Sequence, residues 1–171
     1  MPTAWVAFGS NQAEPVAQLL RARQTLAAVL QEDAASALYR TPPWGYTDQP
    51  DFTNAAAIIE TTLAARELLD LLQQIEHDFG RERPFANAPR TLDLDIIDYA
   101  HTASSDPALT LPHPRAKERA FVLAPWILCE PDAVLEGVGR VSDLLADTPD
   151  REGIIDAVDD WLEDPAAVMA D

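Results

Sequence analysis

The most informative local pattern is a pair of aspartates, Asp93 and Asp95, separated by a single leucine. Apolar and acidic residues alternate along residues 92–96, which predicts a β-strand with both carboxylates on one face. Two residues along a strand span about 6.6 Å, so the two carboxylates could hold divalent cations between them. Mg²⁺ is typically bound by one or two carboxylates together with substrate phosphates. The pattern therefore favours a magnesium site, and the alternative is a strand face that is simply solvated.

Basic residues gather around this pair. Residues 81–119 hold six of the twelve bases and are neutral overall, whereas the rest of the chain carries the whole net charge of −17. Arginine guanidinium groups fit phosphate oxygens, and a metal with arginines recurs in phosphoryl transfer. The cluster predicts an anion site, with ordinary charge clustering as the alternative. The basic residues are Arg81, Arg83, Arg90, Arg115, Lys117 and Arg119.

Several other kinds of chemistry are disfavoured. The sequence has neither a Walker phosphate loop nor a Gly-x-Ser-x-Gly nucleophile elbow. Its single cysteine, Cys129, cannot form an internal disulfide, and only His113, close to the arginines, suggests a ligand role among the three histidines. The strong negative charge argues against nucleic acid and anionic membranes as partners. Without an apolar run near 18 residues or a signal-peptide pattern, we expect a cytoplasmic protein.

The order of predicted elements indicates how these residues are positioned. Strands are predicted near residues 4–8, 37–40, 54–61 and 92–99, with helices after the first and third strands. Residues 9–11 are typical of a turn, and long loops are predicted over residues 41–53 and 81–91. The βαββαβ order predicts an α+β, ferredoxin-like sandwich with a mostly antiparallel sheet. Short helices between the prolines after residue 106 complete a domain over residues 1–140. Residues 141–171 form an acidic C-terminal extension, expected to be helical or partly flexible.

Three motifs, in order along the chain, resemble the 6-hydroxymethyl-7,8-dihydropterin pyrophosphokinase family of folate biosynthesis. The first covers residues 39–45 and 49–55, and the second combines Glu76, residues 80–83 and residues 89–96. The third covers residues 111–115 and 119–123. The resemblance runs from Ala4 to about Pro131 and does not extend over the acidic tail.

The resemblance implies a ferredoxin-like enzyme that moves pyrophosphate from MgATP to the hydroxymethyl oxygen of a reduced pterin, leaving AMP. Asp93 and Asp95 would hold two Mg²⁺ ions, and Arg81 and Arg90 match loop arginines that assist the transfer. These four residues are the expected catalytic set, and ATP is the co-substrate. We expect a monomer whose partners are these small molecules.

The resemblance also assigns the residues that bind the two substrates. Phe52 and Phe121 match the aromatic pair that sandwiches the pterin, while Asn54 and the backbone of residues 41–44 read its polar edge. The expected pterin-binding residues are Thr41, Pro42, Pro43, Trp44, Phe52, Asn54 and Phe121. The expected ATP-binding residues are Gln73, Glu76, Arg83, Arg90, Ile96, Thr110, His113 and Arg119.

The loop before the aspartates departs from the family pattern, which usually reads Arg-Trp-Gly-Pro-Arg there. This chain has Ala-Asn-Ala-Pro-Arg at residues 86–90, and the loop is one residue shorter. One alternative is therefore a pterin- or nucleotide-binding homologue with weakened turnover. A second alternative is a metal-dependent phosphohydrolase that uses the same aspartates and needs no pterin.

Overall fold

Ten β-strands and four α-helices make up the part of the chain that the computed structural model describes, residues 2–11, 14–36, 38–41, 48–80, 92–148 and 155–159. The strands are β1 (Thr3–Ser10), β2 (Gln31–Ala35), β3 (Leu38–Thr41), β4 (Phe52–Glu60), β5 (Asp93–Tyr99), β6 (Ser104–Asp106), β7 (Leu109–Leu111), β8 (Val134–Leu135), β9 (Gly139–Arg140) and β10 (Ile155–Asp159). The helices are α1 (Pro15–Ala27), α2 (Ala65–Asp78), α3 (Ala120–Cys129) and α4 (Val141–Ala146).

The central sheet has six strands in the order β10–β3–β4–β1–β5, and β2 also pairs with β4. Every pairing in this sheet is antiparallel. The predicted βαββαβ order is confirmed, with β3 as the second strand of that motif and β2 as an additional strand before it. Strand β5, which carries both aspartates, lies at one edge of the sheet.

Helices α1 and α2 cover one face of the sheet. Pro15 opens α1, where its fixed φ suits a first helical position. Helix α2 begins where the Glu67 carboxylate accepts a hydrogen bond from the Ala64 amide (3.0 Å), and Gly80 follows its end with φ at 78°. The helical spacing of their apolar residues buries one side of each helix against the sheet. The largest buried side chains in this core are Phe8, Leu19, Leu20, Leu68, Leu72, Leu92 and Leu94.

Helix α3 packs on the opposite face of the sheet. Trp126 lies against Trp5 of β1, with ring centroids 4.9 Å apart. Both indole N–H groups donate to the same Glu130 carboxylate oxygen, at 3.1 Å from Trp5 and 3.3 Å from Trp126. This second core, which also includes Ile97 and Leu123, fixes α3 on the sheet.

Three features of the fold differ from the sequence predictions. Helix α3 runs through Pro125, so the prediction of short helices between the prolines is wrong there. Proline in a helix costs about 3 kcal/mol, but burial of Leu123 and Trp126 on either side offsets that cost. Strand β2 and the β6–β7 hairpin were not predicted, because short strands with little apolar alternation give a weak sequence signal. Strand β1 continues through Gly9 and Ser10, two of the three residues predicted to form a turn.

The C-terminal extension contains both a helix and a strand. Helix α4 lies at its start, and β10 pairs with β3 of the central sheet. An edge strand offers unpaired backbone groups, which explains why the tail can add to the sheet at β3. The domain boundary at residue 140 stays a prediction, and residues 160–171 lie outside the described residues.

Candidate active site

Gly9 is the point at which the predicted metal and pterin residues meet. It pairs with Asn54 on β4 and with Asp93 on β5, so three adjacent strands bring these residues side by side. A Cβ atom at Gly9 would lie 2.9 Å from Asn54 Oδ1, 3.9 Å from Asp93 Cβ and 4.0 Å from Phe52 Cδ1. Only a residue without a side chain leaves room for the Asn54 amide in this position. The sequence had suggested only a turn at Gly9.

The two aspartates lie on the face of β5 that points away from α1 and α2. Leu94 between them is buried in the helix-side core, while both aspartates are half-buried. Their partners on β1 are small, because Gly9 pairs with Asp93 and Ala7 pairs with Asp95. Among the described residues no group of three or more histidine, cysteine or acidic side chains is arranged to hold a metal ion. A cation at this pair would need further oxygen ligands, which phosphates could supply.

Glu76 fixes strand β5 between the two aspartates. This residue is only 6% exposed, and its Oε2 accepts a hydrogen bond of 2.9 Å from the backbone amide of Leu94. Because β5 is an edge strand, no further described strand offers a carbonyl to accept a hydrogen bond from this amide. The carboxylate therefore holds the aspartate pair in place, a role beyond the nucleotide contact expected from the resemblance.

A pocket of about 540 Å³ opens beside the aspartates, between α2 and the β6–β7 hairpin. It brings together Asp95 and five of the eight residues expected to bind ATP, namely Gln73, Glu76, Ile96, Thr110 and His113. The hairpin supplies one wall and positions Thr110, which donates to the Asp106 carbonyl oxygen at 3.1 Å. Sequence reasoning did not identify the rest of the lining, which includes Leu69, His77, Pro107, Ala108, Leu109 and Pro114.

His113 enters this pocket as a neutral imidazole. Its amide donates to the Ile97 carbonyl (2.9 Å), and its Nδ1 accepts from the Arg115 amide (3.2 Å), so the ring proton lies on Nε2. Burial is the main cause that lowers the pKa of His113 to about 4, and the positive charges of Arg119 and Arg115 lower it further against the opposing effect of Asp93. At neutral pH the side chain can therefore donate one hydrogen bond without adding charge.

The start of α3 places a cation against an aromatic ring. The guanidinium carbon of Arg119 lies 5.5 Å from the centroid of the Phe121 ring, within the range of a cation–π contact. The Arg119 carbonyl accepts hydrogen bonds from Val122 (3.0 Å) and Leu123 (3.1 Å), which begin the helix. The backbone of Arg119 is therefore fixed relative to the ring.

Asn11 is a further residue whose role the sequence did not reveal. It is 3% exposed, and its Nδ2 donates to Gln49 Oε1 (2.8 Å) and to the Pro50 carbonyl (3.0 Å). These bonds tie the end of β1 to the segment that leads into Phe52. The only available signal was the Gly-Ser-Asn turn pattern, which does not show what the amide binds.

Several predicted site residues are not placed by the structure. Thr41 ends β3 and pairs with Phe52 across to β4, which brings the start of the first long loop beside the expected pterin residues. The other residues expected in that loop or in the arginine loop lie outside the described residues and stay predictions. They are Pro42, Pro43, Trp44, Arg81, Arg83 and Arg90.

Comparisons with known proteins agree with this geometry. The sequence profile of the 7,8-dihydro-6-hydroxymethylpterin-pyrophosphokinase (HPPK) family matches residues 5–131. A 2-amino-4-hydroxy-6-hydroxymethyldihydropteridine pyrophosphokinase of Methylorubrum extorquens is 43% identical over 139 residues, covering 80% of this chain and 88% of the relative. Its namesake in Pseudomonas aeruginosa is 41% identical over 152 residues, covering 88% and 93% of the two chains.

Solved structures show the same fold at much lower sequence identity. A crystal structure of wild-type Plasmodium falciparum HPPK-DHPS matches 84% of this chain with a TM-score of 0.66 and 13% identity. This chain spans 44% of that longer protein. No described helix is long and apolar enough to cross a membrane. From the matched profile and the relatives, we conclude that the chain belongs to the 7,8-dihydro-6-hydroxymethylpterin-pyrophosphokinase family.

Proposed function

We propose that this chain transfers pyrophosphate from MgATP to 6-hydroxymethyl-7,8-dihydropterin, giving the pterin diphosphate and AMP. The observation that carries the proposal is the arrangement around Gly9. Asp93 and Asp95 stand between a 540 Å³ pocket and the Asn54 and Phe52 side chains. Relatives that share about two fifths of its residues carry the corresponding enzyme name.

The pocket between α2 and the β6–β7 hairpin is the proposed nucleotide site. Its volume lies within the range typical of small-molecule sites. Leu69 and Ile96 offer apolar surface for a heterocycle, while Thr110 and the Nε2–H group of neutral His113 offer polar contacts. A nucleotide in this pocket would direct its phosphates toward Asp95, which lines the same space.

The aspartate pair is the proposed site for two Mg²⁺ ions. The described residues place no third histidine, cysteine or acidic ligand with these two carboxylates, and such a pair suits Mg²⁺ because this ion usually keeps waters and shares substrate phosphates. When bound, the ions neutralise phosphate charge and help to stabilise the transition state. Glu76 contributes by holding the Leu94 backbone, and with it the spacing of the two carboxylates.

The space over Gly9 is the proposed pterin site. Phe52 and Phe121 would offer their rings to the flat heterocycle, and the Asn54 amide would pair with its polar edge. Backbone groups of residues 41–44 would complete this recognition. Because Gly9 has no side chain, the Asn54 amide can lie against it in position to meet the ring, and any side chain at Gly9 would displace this amide.

The proposed reaction is an in-line displacement at the β-phosphorus. The hydroxymethyl oxygen forms a bond to that phosphorus, the bond from it to the bridging oxygen of the α-phosphate breaks, and AMP leaves while the hydroxyl proton is released. Such transfers depend mainly on positioning and charge stabilisation, which the enzyme supplies without covalent chemistry. Arg81 and Arg90 would add positive charge, as the resemblance to the family implies.

The experiment that tests this function follows AMP and pterin diphosphate by chromatography, using the purified chain with MgATP and the reduced pterin. Asp95→Ala should lower turnover roughly 100-fold or more, about 3 kcal/mol in the transition state, with the fold intact. Asp70→Ala is the matched control, because Asp70 is an exposed carboxylate on α2 that does not line the pocket. Near-normal turnover by Asp95→Ala would contradict the aspartate assignment.

The same assay separates the two alternatives. A phosphohydrolase would release phosphate from ATP in the absence of pterin. A binding homologue would retain both ligands in titrations but form no AMP. Cytoplasmic location, a monomeric state, and the absence of nucleic-acid and membrane partners stay predictions from the sequence.

A further inference from the structure

The β6–β7 hairpin, which forms one wall of the proposed nucleotide pocket, is attached to the end of β5 on both sides. Before the hairpin, the His101 amide donates to Asp98 Oδ2 at 3.2 Å. After the hairpin, the His113 amide donates to the Ile97 carbonyl at 2.9 Å. Two consecutive residues of one strand therefore fix both the start of the hairpin and the segment that carries His113 into the pocket.

The chain between Asp98 and the hairpin forms a strained turn. Ala100 and His101 have φ values of 51° and 53°, in the left-handed region that residues with a side chain seldom adopt. The Thr102 amide donates to the Tyr99 carbonyl at 3.0 Å, which closes a four-residue turn around them. Two successive positive φ values are typical of a type I′ turn, for which Asn-Gly is a preferred sequence. Alanine followed by histidine is not of that kind, so this turn depends on support from the structure around it.

Asp98 is the residue that supplies this support. It is 1% exposed, its Oδ2 accepts the His101 amide, and His101 Nδ1 lies 3.6 Å from the same oxygen. Its Oδ1 is also buried, and no donor among the described residues reaches it. Burial raises the pKa of the Asp98 carboxyl, the His101 amide and imidazole oppose this change, and the charges of Glu136 and Glu130 add to it. A carboxylate in such unfavourable surroundings calls for a role, and its hydrogen bond to the strained turn provides one.

We propose that Asp98 is a positioning residue for the nucleotide, because by holding the turn at residues 100–101 it sets the position of the β6–β7 hairpin and thereby the affinity for MgATP. The inference rests on the proposed function, since it assumes that the pocket beside this hairpin is the nucleotide site. Residues 107–110 of the hairpin line that pocket, so a displaced hairpin moves one whole wall. Phe52 and Asn54 of the proposed pterin site lie on β4, which β1 separates from β5, so affinity for the pterin should not change.

The first test measures two affinities by calorimetry: that for α,β-methylene-ATP with Mg²⁺, and that for 6-hydroxymethylpterin with this nucleotide held at saturation. Asp98→Ala removes the acceptor of the His101 amide, so nucleotide binding should weaken about tenfold while pterin binding changes by less than about twofold. In the turnover assay KM for ATP should rise, while kcat at saturating ATP stays within about twofold. Asp98→Asn keeps a carbonyl oxygen for the same amide, so nucleotide binding should return to within about threefold of the unaltered chain.

The second test asks whether Asp98 acts through the turn. Ala100→Asn combined with His101→Gly places the preferred Asn-Gly pair at the two positive-φ positions. In this background Asp98→Ala should weaken nucleotide binding by less than about twofold, because the turn no longer depends on the carboxylate. Asp132→Ala, at a side chain that is 94% exposed, is the control for loss of an acidic group. Val141→Ala, at a buried residue of the second core, is the control for loss of stability, and neither control should alter nucleotide binding.

The outcomes distinguish this inference from the proposed function. If Asp98→Ala binds the nucleotide as the unaltered chain does, or weakens both ligands equally, the positioning role is overturned. An undiminished loss in the Asn-Gly background would also overturn it, since the turn would then not transmit the effect. In these cases the unaltered chain would still form AMP and pterin diphosphate, so the proposed function would stand. If the unaltered chain forms neither product and binds no nucleotide, the proposed function itself fails.

The variant with all three substitutions keeps the inference testable if Asp98→Ala alone does not fold. Normal nucleotide binding by this triple variant would show that a favourable turn replaces the carboxylate, as the inference requires. Failure of the triple variant to fold would show that Asp98 supports the fold by another route, and the positioning role would be overturned.

Discussion

On the sheet face that packs against α3, the two ends are built very differently. Along β1 the side chains on this face shrink from Trp5 to Ala7 to Gly9. At the first end, Trp126 fills the space over the sheet and the pair is nearly inaccessible to solvent. At the other end, Asn54 and Asp93 lie on either side of Gly9, which has no side chain and forms the floor of this face. We name these the filled end and the site end. Side-chain size along one strand therefore decides where the fold is stabilised and where ligands can approach.

Trp126→Ala should cause the largest loss of unfolding free energy, because it removes the side chain that fills this end of the sheet face. Removal of a fully buried tryptophan leaves a cavity, and such changes cost about 3–5 kcal/mol of unfolding free energy. Urea denaturation followed by circular dichroism measures this loss. Val29→Ala, a change at an exposed apolar residue, is the control and should change stability little. A loss no larger than that of the control would show that the filled end does not carry the stability.

The pH dependence of the unfolding free energy should reveal the contribution of His113 near the site end. Because the folded-state pKa of His113 is lowered, its contribution to unfolding free energy is complete above the unfolded value of about 6.5. That contribution is lost as pH falls toward about 4, by about 3 kcal/mol at most.

Denaturation at several pH values measures this slope in the chain without ligands. His113→Gln should flatten the slope between pH 6.5 and 4, whereas the same change at exposed His77 should leave it unaltered. An identical slope in His113→Gln and the unaltered chain would show that other groups cause the acid sensitivity.

Glu76→Ala should have an intermediate effect on the site end. It leaves the Leu94 amide without its acceptor, which typically costs about 1–3 kcal/mol. The spacing of the aspartates depends on the same bond, so MgATP turnover should fall by more than the stability loss explains. Glu76→Gln keeps an oxygen acceptor and should recover much of the stability. Full activity in Glu76→Ala would show that the strand holds its shape without this bond.

Gly9→Ala should give the smallest change in stability and a selective change in binding. The new methyl group would lie 2.9 Å from Asn54 Oδ1, and the amide can move away because it ends a side chain. We expect pterin binding to weaken about tenfold, or about 1.4 kcal/mol, with little change for the nucleotide. Gly80→Ala is the control, since no atom of the described residues lies within 4 Å of its new Cβ but its φ of 78° strains the backbone. Equal weakening of both ligands by Gly9→Ala would contradict the assignment of this floor to the pterin.

The difference between the two ends also explains which features of the fold and the site could be predicted from the sequence. The alternation that separates Leu94 from Asp93 and Asp95 is local, so the strand and the face of its carboxylates were predicted correctly. The βαββαβ order and the burial of Leu68, Leu72 and Ile75 followed from periodicity in the same way.

The features that were not predicted depend on pairing between distant segments. Gly9 matters because Asn54 and Asp93 lie on either side of it, and both neighbours are more than 40 residues away in the chain. The Leu94 amide finds its acceptor on a helix, and the wall of the nucleotide pocket is a hairpin of two three-residue strands. Such contacts leave no periodic signal in the sequence.

Trp5 and Trp126 at the filled end share the Glu130 carboxylate, and this arrangement can be followed by optical spectroscopy. Two indole rings held 4.9 Å apart at an angle of 46° are close enough for their excited states to interact. The pair should therefore give a circular dichroism band of its own. Its fluorescence emission should shift when the hydrogen bond from either indole N–H to Glu130 breaks. Because the tryptophan pair lies away from Gly9, its spectroscopic signal reports whether the scaffold is folded, independently of ligand binding.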